Sequence, residues 1–318
     1  MEYSSGKASR LTRDAISYSG VSVSRAGALA TTGGSSVSSL AILRIGAATP
    51  APNLADSGDS EESPVWLTRG RIVCESRREE QPQIWTMDEN GGSRKQLTRR
   101  ACASVSPAVA MSGMLIVFVS ERASGSELWS MDPNGADLRP ICSAIGIEAP
   151  ACTPDGSTIF FTSVRQGKPV LWKVNRERGQ PVQVTDRLSR MPAISPDGRL
   201  VAFYYWSERE DEPRRIMIAP TRGGDPSRVA HLEDGDVLKG LRWSPDGRAL
   251  YCLLRRDGAT EVWRRPLDGT APAPITAFQD DRAMSFDISP DGERIVYSRL
   301  ERWSDVLLLR PESGTGRA

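Results

Sequence analysis

The sequence predicts an all-β fold, a seven-bladed β-propeller of four-stranded blades, on three observations. A turn tripeptide recurs at near-constant spacing along almost the whole chain. The intervals between copies hold short apolar runs of β type separated by turn residues. Charges cancel and no single-sign block stands out, so the runs read as the interior of an ordinary folded domain.

The tripeptide is Pro-Asp-Gly, found at Pro154–Gly156, Pro196–Gly198, Pro245–Gly247 and Pro290–Gly292. Degenerate copies stand upstream as Arg25-Ala26-Gly27, Thr68-Arg69-Gly70 and Met111-Ser112-Gly113. Successive glycines at 27, 70, 113, 156, 198, 247 and 292 are separated by 43, 43, 43, 42, 49 and 45 residues, about the length of one propeller blade. Proline presets φ for a type I turn, aspartate suits the next position, and glycine accepts the positive φ that follows. Aspartates repeated at one turn are therefore read as turn residues rather than as acids or metal ligands.

Each unit contains four runs. Strand A precedes the landmark glycine (Leu241-Arg242-Trp243) and strand B follows it (Leu200-Val201-Ala202-Phe203, Ile295-Val296-Tyr297). Strand C carries an aliphatic–tryptophan pair in Ile84-Trp85, Leu128-Trp129, Leu171-Trp172 and Val262-Trp263, and Leu40-Ala41-Ile42 fills that place in the first unit. The tryptophans are the size that fills a gap between stacked sheets. Strand D ends the unit, as in Gln96-Leu97-Thr98, Gln183-Val184-Thr185 and Pro274-Ile275-Thr276.

The last unit stops after strand C, at Leu309, while the chain opens on Ser9-Arg10-Leu11-Thr12, which has the ending of a D strand. The ring is expected to close by residues 1–15 completing the last blade, because an unpaired outer edge invites aggregation. On that reading residues 1–311 are one propeller and 312–318 a disordered tail.

The 41 basic and 40 acidic residues leave a net charge of +1, which gives no support for a nucleic-acid partner. Only Lys7, Lys95, Lys168, Lys173 and Lys239 are lysines, and the other basic residues are arginines. Five cysteines without a C-x-x-C pair suggest neither disulfides nor zinc. No apolar run fits a secretory leader or a membrane span. The expectation is a cytoplasmic monomer.

Ser195-Pro196-Asp197-Gly198-Arg199-Leu200-Val201-Ala202-Phe203 and its counterparts resemble the TolB-like or WD40-like propeller repeat of bacteria. The segments Phe286-Asp287-Ile288-Ser289-Pro290-Asp291-Gly292 and Ser304-Asp305-Val306-Leu307-Leu308 look like the last repeat of propellers attached to bacterial kinases and winged-helix regulators. That resemblance implies a sensing or docking module. The propeller also resembles the gating domain of prolyl-oligopeptidase-type peptidases.

For chemistry the sequence offers little. His231 is the only histidine and is placed on an outer strand, and no Gly-x-Ser-x-Gly nucleophile elbow occurs. No metal or cofactor is expected, with calcium held by channel carboxylates the one such idea raised. The chain is accordingly read as a non-enzymatic binding module for a protein or peptide. A ligand-sensing domain and the propeller of a hydrolase are the alternatives. Binding is placed on the variable D–A and B–C loops, where the positions eight before each landmark glycine include Glu62, Glu148, Arg190 and Lys239, with Arg282 close by. Trp206 and Trp303 fall outside the repeated tryptophan column and are read as interface anchors. Arginines of the B–C loops, such as Arg78 and Arg256, are read as braces or binding groups.

Overall fold

The computed structural model describes residues 17–25, 29–47, 54, 59–68, 70–78, 80–99, 101–110, 113–207, 214–226, 228–232, 236–256, 259–276 and 283–309. Every regular element among them is a β-strand. Blade 1 is built from Glu61–Thr68, Arg71–Ser76, Gln83–Asp88 and Lys95–Gln96, and blade 2 from Ser104–Val109, Ile116–Arg122, Gly125–Met131 and Arg139–Ala144. Blade 3 takes Glu148–Cys152, Thr158–Arg165, Lys168–Asn175 and Pro181–Gln183, and blade 4 Ser189–Ile194, Leu200–Tyr205, Arg215–Pro220 and Arg228–His231. Blade 5 takes Val237–Trp243, Ala249–Arg256, Ala259–Pro266 and Ala273–Pro274. Each is an antiparallel meander with strands A to D in chain order.

The sixth sheet is assembled from both ends of the chain. Ala283–Ile288 and Arg294–Leu309 are its A and B strands, Leu29–Arg44 follows them, and Ser17–Val23 comes last. The described residues form six blades, not the seven expected. The A–B hairpin of the first sequence unit does form, with Val23 beside Leu29 and Ser17 beside Gly34. Its second strand, however, runs on for 16 residues and becomes the third strand of the last blade at Leu40-Ala41-Ile42. The physical reason is composition: Leu29-Ala30-Thr31-Thr32-Gly33-Gly34-Ser35-Ser36 is polar and small, and Val21 and Val23 stay exposed. That supplies too little apolar area to build another inter-blade layer. Residues 1–15, expected to close the ring, lie outside the described residues, as do 312–318.

The long strands divide between two compact units, Ser38–Leu300 on the one hand and the stretches up to Val37 and from Glu301 on the other. The smaller unit holds the hairpin just described. In the larger unit, strand A of each blade packs on strand A of the next, and Ala283–Ile288 packs on Glu61–Thr68, so the circle is complete. Its core lies between blades. Leu67, Val73 and Ile84 of blade 1 meet Ile116, Phe118 and Met131 of blade 2, and Leu40 and Val296 of blade 6 meet Trp66, Ile72 and Met87 of blade 1. Four more clusters of this kind fill the other four interfaces. Trp85, Trp129, Trp172 and Trp263 pack against these layers, as their recurrence in strand C foretold.

The repeated sequence signals have local causes. In the landmark turns the hydroxyls of Thr153, Ser195, Ser244 and Ser289 donate to the aspartate two residues on, at 2.5–2.6 Å. Gly70, Gly113, Gly156, Gly198, Gly247 and Gly292 all have positive φ, from 66° to 78°. These hydroxyl bonds hold the carboxyls of Asp155, Asp197 and Asp246 below the usual range. The aspartates are structural. The D-strand threonines clamp strand C from outside. Thr98 Oγ1 accepts from Ile84 N at 2.9 Å while Leu97 N donates to Ile84 O at 2.8 Å. Thr185 with Val184 grips Leu171 in the same way, and Thr276 with Ile275 grips Val262. In blade 6, Leu54 N donates to Leu40 O at 2.7 Å, which puts Leu54 at the D position.

Candidate functional site

Each inner strand has a register shift at a corresponding place, between Glu62 and Val65, Val105 and Ala108, Glu148 and Ala151, Arg190 and Ala193, Leu238 and Gly240, and Ala283 and Ser285, and the first has a second shift between Trp66 and Thr68. Ser63, Ser106, Ala149 and Met191 have positive φ there, and each precedes a proline that cannot donate to the ladder. A bulge of this kind re-aims the neighbouring side chain. The side chains concerned belong to the charged positions noted in the sequence, Glu62, Glu148, Arg190 and Lys239.

The structure brings part of that set together. Glu148 and Lys239 line one cavity of about 330 Å³, with Ser63, Ser106, Ser285 and Arg242. Arg190 Nε stands 3.8 Å from Glu148 Oε2, both side chains being well exposed, so the pair is weak and available for exchange. Arg190 also lies over the ring of Trp206 at 5.9 Å, and Trp206 stacks on Tyr204 with centroids 5.2 Å apart. Lys239 is exposed and has no ion-pair partner among the described residues. Glu62 is set apart from this group: it accepts from Ser38 Oγ at 3.1 Å and is paired across the strands with Glu75. Arg282 lies outside the described residues, and of Trp303 only the strand placement is described. His231 is exposed at the end of the outer strand of blade 4. The loop arginines act as braces, Arg78 over Trp85 and Arg256 over Trp263 while paired to buried Asp236. No group of three His, Cys, Asp or Glu among the described residues could hold a metal.

Below the mouth, a second cavity of about 280 Å³ has in its lining a ring with one residue from each blade at the same inner-strand position: Val65, Ala108, Ala151, Ala193, Arg242 and Asp287. Four are small and apolar; two adjacent ones carry opposite charge. Arg242 Nε donates to Asp287 Oδ1 at 2.8 Å, and Trp66 N of blade 1 donates to Asp287 Oδ2 at 2.9 Å. Asp287 thus ties blade 5 to blade 6 and blade 6 to blade 1. Burial raises its carboxyl pKa, against the opposing pull of Arg242. Arg294 reinforces the same seam, donating to Glu89 of blade 1 at 2.6 Å and lying over Trp66 at 5.0 Å.

Three of these residues were missed in the sequence. Arg242 and Asp287 stand five before Gly247 and Gly292, where the other four blades place Val or Ala; that column is readable once the repeats are aligned. Glu75, only 6% exposed, has its pKa raised to about 7 by burial, with the carboxylates of Glu62 and Glu121 adding to the effect. Nothing in the strand pattern marks it.

The geometry defines a propeller whose central channel is charged at one mouth and at one ring below it. A family profile described as the TolB beta propeller domain matches residues 28–184 and 80–229, together more than half of the chain. The chain belongs to that family. It is 26% identical over 156 residues to dipeptidyl-peptidase 5 of Trichophyton equinum, covering 48% of this chain and 21% of that protein. It is 23% identical over 186 residues to dipeptidyl-peptidase 5 of Porphyromonas gingivalis, covering 54% of this chain and 27% of that one. The matched part is thus about a quarter of the length of these relatives. Among solved structures, a TolB from Agrobacterium tumefaciens described as putative has the same fold, with a TM-score of 0.68 at 15% identity, over 84% of this chain and 99% of that one. The expectation of a protein with no enzymatic role is overturned by these comparisons, because the relatives are named peptidases.

Proposed function

We propose that the chain is the peptide-handling propeller of a peptidase, receiving peptides at the charged mouth of its channel. The observation that carries this is the mouth itself. Glu148 and Lys239 put opposite charges on the rim of one cavity, Arg190 can exchange its weak bond to Glu148 for a ligand, and the Tyr204–Trp206 stack supplies an aromatic wall close by. A peptide carries a positive end, a negative end and apolar side chains between them. Complementary potentials orient such a ligand more than they tighten it. The likeness to dipeptidyl-peptidases supports a peptide over other zwitterions.

Titration of a tetra-alanine peptide against the protein, followed by calorimetry and by tryptophan fluorescence, tests the reading. Binding is expected, with a fluorescence change that disappears in Trp206→Phe and an affinity lowered on the order of tenfold in Lys239→Glu. Absence of binding to the folded wild type at millimolar peptide would refute it.

A further inference from the structure

We infer that Arg242, together with Lys239, forms a carboxylate subsite in the channel that takes the C-terminal end of the peptide. This rests on the peptide reading above and sets its direction. A guanidinium has five N–H donors. Arg242 spends Nε–H on Asp287 and one Nη1–H on Leu241 O, at 2.8 and 2.9 Å. The remaining donors have no partner among the described residues, and the side chain lines both the upper and the lower cavity. It is held in place from two sides, by Asp287 and by the ring of Phe286 at 5.9 Å. A guanidinium fixed at one edge and open at the other suits the two oxygens of a carboxylate.

The surroundings favour an anion of that size. Three of the four blades facing the pair contribute alanine to the ring and the fourth valine. Among the described residues, the only other charges on the upper cavity are Lys239 and Glu148. Lys239 stands three residues before Arg242 on the same strand and adds a second cation. Glu148 belongs to a different blade and is left for the amine end of the peptide. The lower cavity, about 280 Å³, has room for a terminal residue but not for a folded partner.

The test uses unlabelled tetra-alanine as free acid and as C-terminal amide, titrated by calorimetry into the wild type, Lys239→Gln, and the double variant Arg242→Met with Asp287→Asn. The double change avoids leaving Asp287 as an uncompensated buried charge, and melting followed by circular dichroism establishes that each variant folds. The acid is expected to bind the wild type on the order of tenfold more tightly than the amide. That preference is expected to shrink in Lys239→Gln and to vanish in the double variant. Equal binding of acid and amide by the wild type overturns the subsite and leaves the peptide reading standing. A preference kept in the folded double variant overturns the role of Arg242. If the double variant does not fold, an unchanged preference in Lys239→Gln overturns the proposal. Failure of both peptides to bind overturns the peptide reading itself.

Discussion

Replacing Glu75 by Gln should stabilise the protein at alkaline pH and leave it nearly unchanged at acid pH. Glu75 sits on strand B of blade 1, beside Glu62 across the sheet, and accepts Ser106 N at 3.4 Å. Burial is the main reason its pKa rises from 4.5 to about 7; the nearby Glu62 and Glu121 raise it further, while the Ser106 bond and Arg77 pull it down. A carboxyl with a raised folded-state pKa binds its proton more tightly when folded. Its contribution is therefore complete below pH 4.5, falls as the pH rises, and is gone above about 7. The gap between 4.5 and about 7, at 1.36 kcal/mol per pH unit, makes this about 3 kcal/mol. Gln keeps an acceptor for the Ser106 amide without the charge. Urea unfolding of both proteins at pH 5 and pH 8 measures the effect. The advantage of the variant should grow by roughly 2–3 kcal/mol between the two, because every group common to both proteins cancels in the difference. A gap that stays constant with pH would show that Glu75 titrates normally and that its burial is misjudged.

Other perturbations test the ring. Asp287→Ala should cost about 3–5 kcal/mol in urea unfolding, because Arg242 loses its partner and Trp66 N its acceptor; a loss below 1 kcal/mol would mean that the seam is held elsewhere. Gly198→Ala should destabilise more than Gly247→Ala. Both have positive φ, but a Cβ at 198 would meet Pro154 at 2.9 Å while one at 247 meets Pro196 at 3.7 Å, so melting temperatures should separate strain from collision. Thr98→Val should cost about 1–3 kcal/mol by removing the hydroxyl between Ile84 N and Gln83 Oε1, and equal stability would contradict the outer clamp.

What the sequence made legible was whatever repeats. The turn aspartates, the strand C tryptophans and the D-strand threonines each recur, and each has one structural cause shared by several blades. The blade count failed because the hairpin before Leu40 imitates an A–B pair locally, while membership of a blade depends on which sheet the strand joins and how much apolar surface it brings. Glu148, Arg190 and Lys239 all stand at the bulge of their inner strands, which lies at a near-constant distance before the landmark glycine. Arg242 and Asp287 were overlooked because each looks ordinary within its own unit. Their meaning appears only when the six inner strands are set side by side and four of the six positions prove to be apolar. Glu75 was beyond reach, since its raised pKa comes from burial and from carboxylates on other strands.

A crystal structure of the protein grown with tetra-alanine tests the central claim most directly. The account predicts one peptide in the channel at the end marked by Glu148 and Lys239, its carboxylate on Arg242 and its amine toward Glu148. A peptide bound at the Pro-Asp-Gly turns, or lying in the channel with its ends reversed, would contradict it.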